Sequence, residues 1–381
     1  MRQTLLLCMS FILLGFAVGL TDIAQAQSPA PVAQSQEETI KEQKNRNTIG
    51  IATGQLDAAY PQMAQDIAKI LDDGDNMRVI PMITYGSAGN VMDLLYLRNV
   101  DIAFIKSDNI EYFKQKLNIN LRNRLHYITR LYDAELHILA RSEIKTLADL
   151  QGKKVNIGVE GNAAHTTVPV VMKALGLDFE MLTLDHAIGL EMMAKGEIDA
   201  AMRVGGKPLS TFTKAPEGKG FHFLSISTSQ FAKNLSDKYV LGKLTNDDYP
   251  KLIAQGETIT TVAVPDILAV YNWQKGTDRH RRVEAFIVNF FKNFEKLKNP
   301  PFQAKWKDVN LAATIPGWTR SDTAERMLTE LARSDPSLMR DEFNSYLDKR
   351  GVAGNLGGKT QSEREHLFEA FLTWRKETAR Q

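Results

Sequence analysis

Three apolar blocks early in the chain each end in a short polar turn, and the spacing inside each block sets the element it predicts. Thr48 to Ala52 is a short β-rich run that stops at Thr53, Gly54 and Gln55, as a strand closed by a glycine turn would. Met63, Ile67, Ile70 and Leu71 recur at helical spacing and predict an amphipathic helix. Met77 to Ile83 reads as a second strand, Tyr85 to Asn90 as a glycine-serine turn, and Val91, Leu94 and Leu95 as the inner face of a second helix. Asp101 to Ile105 is a third strand, ending in Lys106, Ser107 and Asp108. Units of this kind predict a parallel sheet with all three turns on one edge, outside the carboxyl ends of the strands, where open α/β folds hold ligands.

The unit resumes after a break near Thr129 to Arg141. Leu125 to Thr129 and Glu135 to Ala140 flank Tyr132 and Asp133 and read as two strands. Val155 to Val159 is the next strand; its turn, Glu160 to Thr167, opens a helix through Val170, Val171 and Leu175 that Gly176 caps. Pro169 fits that helix only near its first turn. Met181 to Leu184, Ile188 to Ala194 and Ile198 to Val204 follow as strand, helix and strand. Gln230 to Leu235 and Tyr249 to Ile253 read as short helices, and Thr258 to Val264 and Ile267 to Trp273 as β runs that return the chain to the first sheet. Two crossings make a hinge. Beyond Thr277, Val283, Phe286, Ile287, Phe290, Phe291 and Phe294 form an apolar stripe that reads as core. Further helices are predicted over Ala324 to Ala332, Leu338 to Leu347 and Glu363 to Arg375.

Composition changes this picture mainly at the amino terminus. Arg2, the apolar run Leu5 to Leu20 and the small-x-small step Ala24-Gln25-Ala26 predict an export signal over 1–26, cleaved before Gln27; the alternative is an uncleaved membrane anchor, for which the run is short. The sole cysteine, Cys8, lies inside it, so disulfides and thiolate catalysis are excluded after processing. Residues 27–46 have almost no large apolar side chains and predict a flexible linker. A formal net charge of +2 gives no nucleic-acid signature.

Catalytic motifs are lacking. Gly86-Ser87-Ala88-Gly89 departs from the spacing of a nucleophile elbow, and Gly50 to Gly54 is neither a dinucleotide fingerprint nor a phosphate loop. The seven histidines form no metal-ligand pair. The expectation is a non-enzymatic protein with no cofactor and no metal.

The ordered set of motifs resembles the TAXI group of TRAP transporter solute receptors. The matching pieces are Ile49 to Gly54 with Tyr60-Pro61, Gly86 to Asn90, Asp101 to Asp108, Ile144 to Val155, Ile198 to Ala201 and Val264-Pro265. The resemblance implies an α/β periplasmic binding protein of the type II kind, with two lobes, each a mixed, mostly parallel sheet flanked by helices. The expected organisation is a first lobe over 47–133, a second over 134–263, a return to the first over 264–300 and a helical C-terminal extension over 301–381. The resemblance also implies a periplasmic location, a small-molecule solute and membrane subunits of a secondary transporter as partners.

Receptors of this group usually have glutamine where Lys106 stands, Ser-Gly-Thr in place of Asn162-Ala163-Ala164, and an apolar residue at Arg203. Two cations added at strand ends of opposite lobes suit an organic acid or acidic amino acid. The expected ligand contacts are Thr53, Gly54, Gln55, Tyr60, Ser87, Ala88, Lys106, Ser107, Asn162, His165, Thr166 and Arg203. Structural roles stand beside them: Lys106 either meets the solute, pairs with Asp108 or points to solvent, Arg203 either meets it or pairs with Glu160 or Asp185, and His165 and His186 are either contacts or surface or capping residues. Tyr60 and Tyr132 are candidates to stack on the solute or roof it. An ABC importer receptor and a periplasmic sensor of the same fold remain alternatives.

Overall fold

The computed structural model describes residues 31–236, 238–349 and 360–378. The expected signal at 1–26, Cys8 and the glycine-rich stretch 351–358 lie outside the described residues. Residues 1–43 and 44–381 are separate units, and the candidate site is built from the second. The predicted linker is helical over α1 (Pro31–Arg46). Its residues 35–46 are exposed, so the polar composition denies it a buried face, while Gln, Glu and Lys have enough helix propensity to wind the backbone.

The first block forms β1 (Thr48–Ala52), α2 (Ala59–Leu71), β2 (Arg78–Met82), α3 (Ser87–Tyr96), β3 (Ile102–Lys106) and α4 (Asn109–Leu117). β1 pairs in parallel with β2 and β3. Alternation along the strands decides what each face packs. Ile49, Ile51, Ile102 and Phe104 join Met63 and Ile67 of α2, whereas Ala52, Ala103 and Ile105 meet Val91, Leu94 and Phe113.

The chain continues through β4 (Leu125–Ala140), β5 (Lys154–Asn156), α5 (Ala164–Ala174), β6 (Glu180–Leu182), α6 (His186–Lys195) and β7 (Ala200–Gly205). Then come α7 (Ser210–Thr213), β8 (His222–Phe223), α8 (Thr228–Asn234), β9 (Val240–Thr245) and β10 (Thr258–Tyr271). The sheet order is β2-β1-β3-β10-β4-β7-β5-β6, with β8 on β4 and β9 on β10. Read inward from either flank, each half has its second, first and third parallel strands and then an antiparallel one: β2-β1-β3-β10 and β6-β5-β7-β4. One α/β unit is thus built twice, and β4 and β10 run through both copies.

Four local expectations are corrected. β4 is one strand of 16 residues, not two; Asp133, which with Tyr132 read as an interruption, pairs with Arg130 at 2.6 Å. β10 is likewise continuous through Pro265. That proline lies after the last β9 pairing, at Ala263, and before the first β3 pairing, at Asp266, beside a register shift, a place where a missing N–H is tolerated. Pro169 sits well inside α5, and burial of Val168, Val171 and Met172 outweighs the lost backbone bond. Tyr249 to Ile253 forms turns, not a helix.

α9 (Asp278–Leu297), α10 (Asp322–Ser334), α11 (Arg340–Lys349) and α12 (Gln361–Thr378) complete the chain. The stripe from Val283 to Phe294 is buried and packs on Trp306. Rings of Phe343, Tyr346, Phe368 and Phe371 hold α11 against α12.

Candidate functional site

The repeated topology points the strand ends of both halves at one cleft, and a cavity lies there. From the first half it is lined by Gly54, Gln55, Tyr60, Tyr85, Gly86, Ser87 and Lys106; from the second by Asn162 to Ala164, His186 and Arg203 to Gly206; and by Tyr132 on β4. Its volume is about 50 Å³; with roughly 10–15 Å³ needed to hold one water, it takes a few waters or a small compact solute.

Three sets of hydrogen bonds cross this cleft. In the first, the α3 N-terminus donates: the amides of Ala88 and Gly89 reach the Gly161 carbonyl at 3.1 and 3.0 Å. These amides, at the start of a helix, thus take their acceptor from the opposite turn. Gly86 and Gly161 have φ of +120° and +86°, a backbone conformation that side-chain-bearing residues rarely adopt, so the two turns need glycine.

The second set centres on Asp108. Its carboxylate accepts from Thr167 at 2.7 Å and from Tyr239 at 3.4 Å. Although the residue is partly exposed overall, its Oδ1 is buried without a hydrogen-bond partner among the described residues. Burial pushes its pKa up to about 6, against the lowering effect of Thr167 and Lys106.

The third set joins Arg203 to Asp57 of the β1–α2 loop. Arg203 Nη2 donates to Asp57 Oδ1 at 2.8 Å, and Nη1 donates to Oδ2. Thr211 donates to Oδ2 at 2.9 Å, and Ser210 to the Asp57 carbonyl at 3.3 Å. Burial alone raises the Asp57 pKa; the Arg203 hydrogen bond and charge and the Thr211 hydroxyl outweigh it and hold the carboxyl at about 2. Beside this pair, His186 has its pKa pushed down to about 4 by burial and by the Arg203 charge. Its Nδ1 has no hydrogen-bond partner among the described residues, leaving a neutral imidazole at the cavity wall.

Lys106 behaves differently. It is 2% exposed, donates to the Tyr60 hydroxyl at 2.8 Å and forms an ion pair with Asp266 of β10. Burial raises the Asp266 pKa, and Lys106 opposes that rise.

The sequence profile of the NMT1-like family matches residues 51–314, a span that includes every cleft-lining residue named above. The chain belongs to the NMT1-like family. Among solved structures, this NMT1-like chain is similar to the periplasmic binding protein BugD, with 11% identity, a TM-score of 0.43, and 80% of this chain and 98% of that one covered. A protein described as a periplasmic transporter matches at 12% identity and a TM-score of 0.42, over 74% of this chain and 92% of that one. The periplasmic aliphatic sulphonate binding protein SsuA from Escherichia coli matches at 15% and 0.37, over 66% and 71%.

Of the residues expected from sequence, this NMT1-like chain places Gly54, Gln55, Tyr60, Ser87, Lys106, Asn162 and Arg203 at the cavity. Thr53, Ala88, Ser107, His165 and Thr166 do not line it. Thr53 bonds the Met82 carbonyl, and the Ser107 amide bonds that of Pro265. His165 Nε2 lies 3.0 Å from the Gly158 carbonyl, and Thr166 donates to Ala163. Two lining side chains are also occupied inside their own half: Ser87 Oγ accepts from the Lys106 amide, and Asn162 donates to Ile157. Neither expected alternative partner of a cation is found: Lys106 pairs with Asp266 rather than Asp108, and Arg203 with Asp57 rather than Glu160 or Asp185. Asp57 and Asp266 are the residues that sequence reasoning missed, since nothing local distinguishes them from solvated acids.

Proposed function

We propose that this chain is an exported solute receptor of the TAXI type, serving a TRAP transporter. It binds a small organic anion, a carboxylate or an acidic amino acid, in the cleft and delivers it to membrane subunits without chemical change. The observation that carries this reading is the seat formed by Arg203 and Thr211, which grips a carboxylate by a two-point ion pair and a hydroxyl. Such paired, charge-assisted bonds suit carboxylates above other small anions. The neutral His186 imidazole and the apolar walls at Ala163 and Ala164 leave room for a compact solute body.

Binding and closure are linked in this reading because the solute body also meets the first-half lining at Gln55 and Tyr60. A solute that touches only one half binds without shifting the closed population, because only differential affinity moves a conformational equilibrium. Isothermal titration of the purified protein with succinate, glutamate and 2-oxoglutarate tests it. One of these acids, or a close analogue, gives saturable heat, and Arg203→Ala weakens it by about 10- to 100-fold, the value of a hydrogen bond to a charged group. Saturable binding that Arg203→Ala leaves unchanged would remove the carboxylate seat, and binding of neutral sugars or amines in preference would remove the anionic class.

A further inference from the structure

We propose that Asp57 is a built-in competitor for the carboxylate seat: it latches the cleft through Arg203, and an anionic solute has to displace it. This rests on the receptor reading for the identity of the displacing solute, though the latch itself is a property of the chain alone.

The geometry assigns Asp57 this part because it sits at the solvent-facing tip of its loop. Leu56, beside it, is 78% exposed, and the Asp57 side chain is 41% exposed, whereas that of Arg203 is 6% exposed. The guanidinium is therefore fixed in the second half while its partner sits on a solvent-facing loop of the first. All the bonds Asp57 makes to Arg203, Thr211 and Ser210 join the two halves, so each is lost when they part. A solute carboxylate meeting the same donors must replace Asp57 oxygen for oxygen, and the freed loop side chain can turn to water without leaving a buried charge unpaired. In the closed state the seat holds a carboxylate whether or not solute is bound, which spares the buried Arg203 an unpaired charge there.

Competition of this kind lowers apparent affinity by the fraction of time the seat is free. A latch engaged about 90% of the time weakens solute binding about tenfold. Its advantage for a receptor is easier release, because Asp57 lies beside the departing carboxylate and can take its place.

The test compares full-length mature protein with Asp57→Asn and Arg203→Ala. Small-angle scattering without added solute reports closure. Succinate and glutamate titrations report affinity, and thermal melting checks that each variant is folded. The latch predicts that both variants expand relative to the wild type, and that Asp57→Asn binds the acid about tenfold more tightly while Arg203→Ala binds it more weakly. An Asp57→Asn protein with wild-type dimensions and wild-type affinity would overturn the proposal. So would loss of acid binding in Asp57→Asn, which would make Asp57 part of the solute's site instead of its rival. Should no protein bind either acid, the anionic reading fails, and the scattering comparison still decides the latch.

Discussion

Lys106 and Arg203 occupy corresponding strands, the third parallel strand of each half, and each faces the antiparallel strand that runs through the sheet. Their fates differ because of what stands opposite. Lys106 is paired in register with Asp266, an acid that neutralises it within the fold. Arg203 is paired with His137, whose pKa burial pushes down to about 3 and whose Nε2 lies 2.7 Å from the Tyr249 hydroxyl. Facing a neutral imidazole, the guanidinium finds its counter-charge across the cleft, at Asp57. A cation at the mouth of a sheet is therefore held within its own sheet or turned across the cleft according to its cross-strand neighbour, and the same sequence signal serves both.

The comparison breaks most easily at Asp266. Asp266→Asn leaves Lys106 charged and buried without its partner, which costs about 3–5 kcal/mol; denaturant unfolding measures it. A loss under about 1 kcal/mol would mean that Lys106 is free to serve a solute.

Asp108 gives the next effect, and it depends on pH. Its native pKa of about 6 exceeds that of an exposed Asp, about 3.9, so the native state binds more protons between roughly pH 4 and 6. Its contribution to stability therefore falls as pH rises through that window. Asp108→Asn, which keeps an acceptor for Thr167, should equal the wild type near pH 4 and gain on it up to neutral pH, by at most about 3 kcal/mol. The difference between the two proteins is the quantity to follow, because His137 and His186, with lowered pKa values, add stability in the opposite sense as pH rises. A pH-independent difference would place the Asp108 carboxyl in contact with water.

The smallest effect is expected at His165, which bonds within its own loop and does not line the cavity. His165→Gln should change solute affinity by less than about 0.5 kcal/mol. A larger loss in titration would show that the second-half turn reaches the solute by another face than the one described.

Local spacing carried most of the fold. The apolar run Ile102 to Ile105 and the helical stripe from Val283 to Phe294 are visible in a few residues, and both elements formed where the pattern placed them. The continuity of β4 and β10 was hidden because Tyr132-Asp133 and Pro265 look like boundaries when their partners are unknown. The site was legible as turns, with Gly54, Ser87 and Asn162 at the cavity, but its electrostatics were not. Arg203 and Asp57 are 146 residues apart, and Lys106 and Asp266 are 160 apart. No local pattern chooses among the acids of the chain for such pairings; the sheet register does.

The central claim is that the two halves close on a small acid in this cleft. Native mass spectrometry of the protein purified from its own compartment without refolding tests it most directly. The account predicts a retained mass of a small organic acid on the wild-type chain, absent from Arg203→Ala. A bare chain mass, unchanged by saturating succinate, glutamate or 2-oxoglutarate, would contradict it.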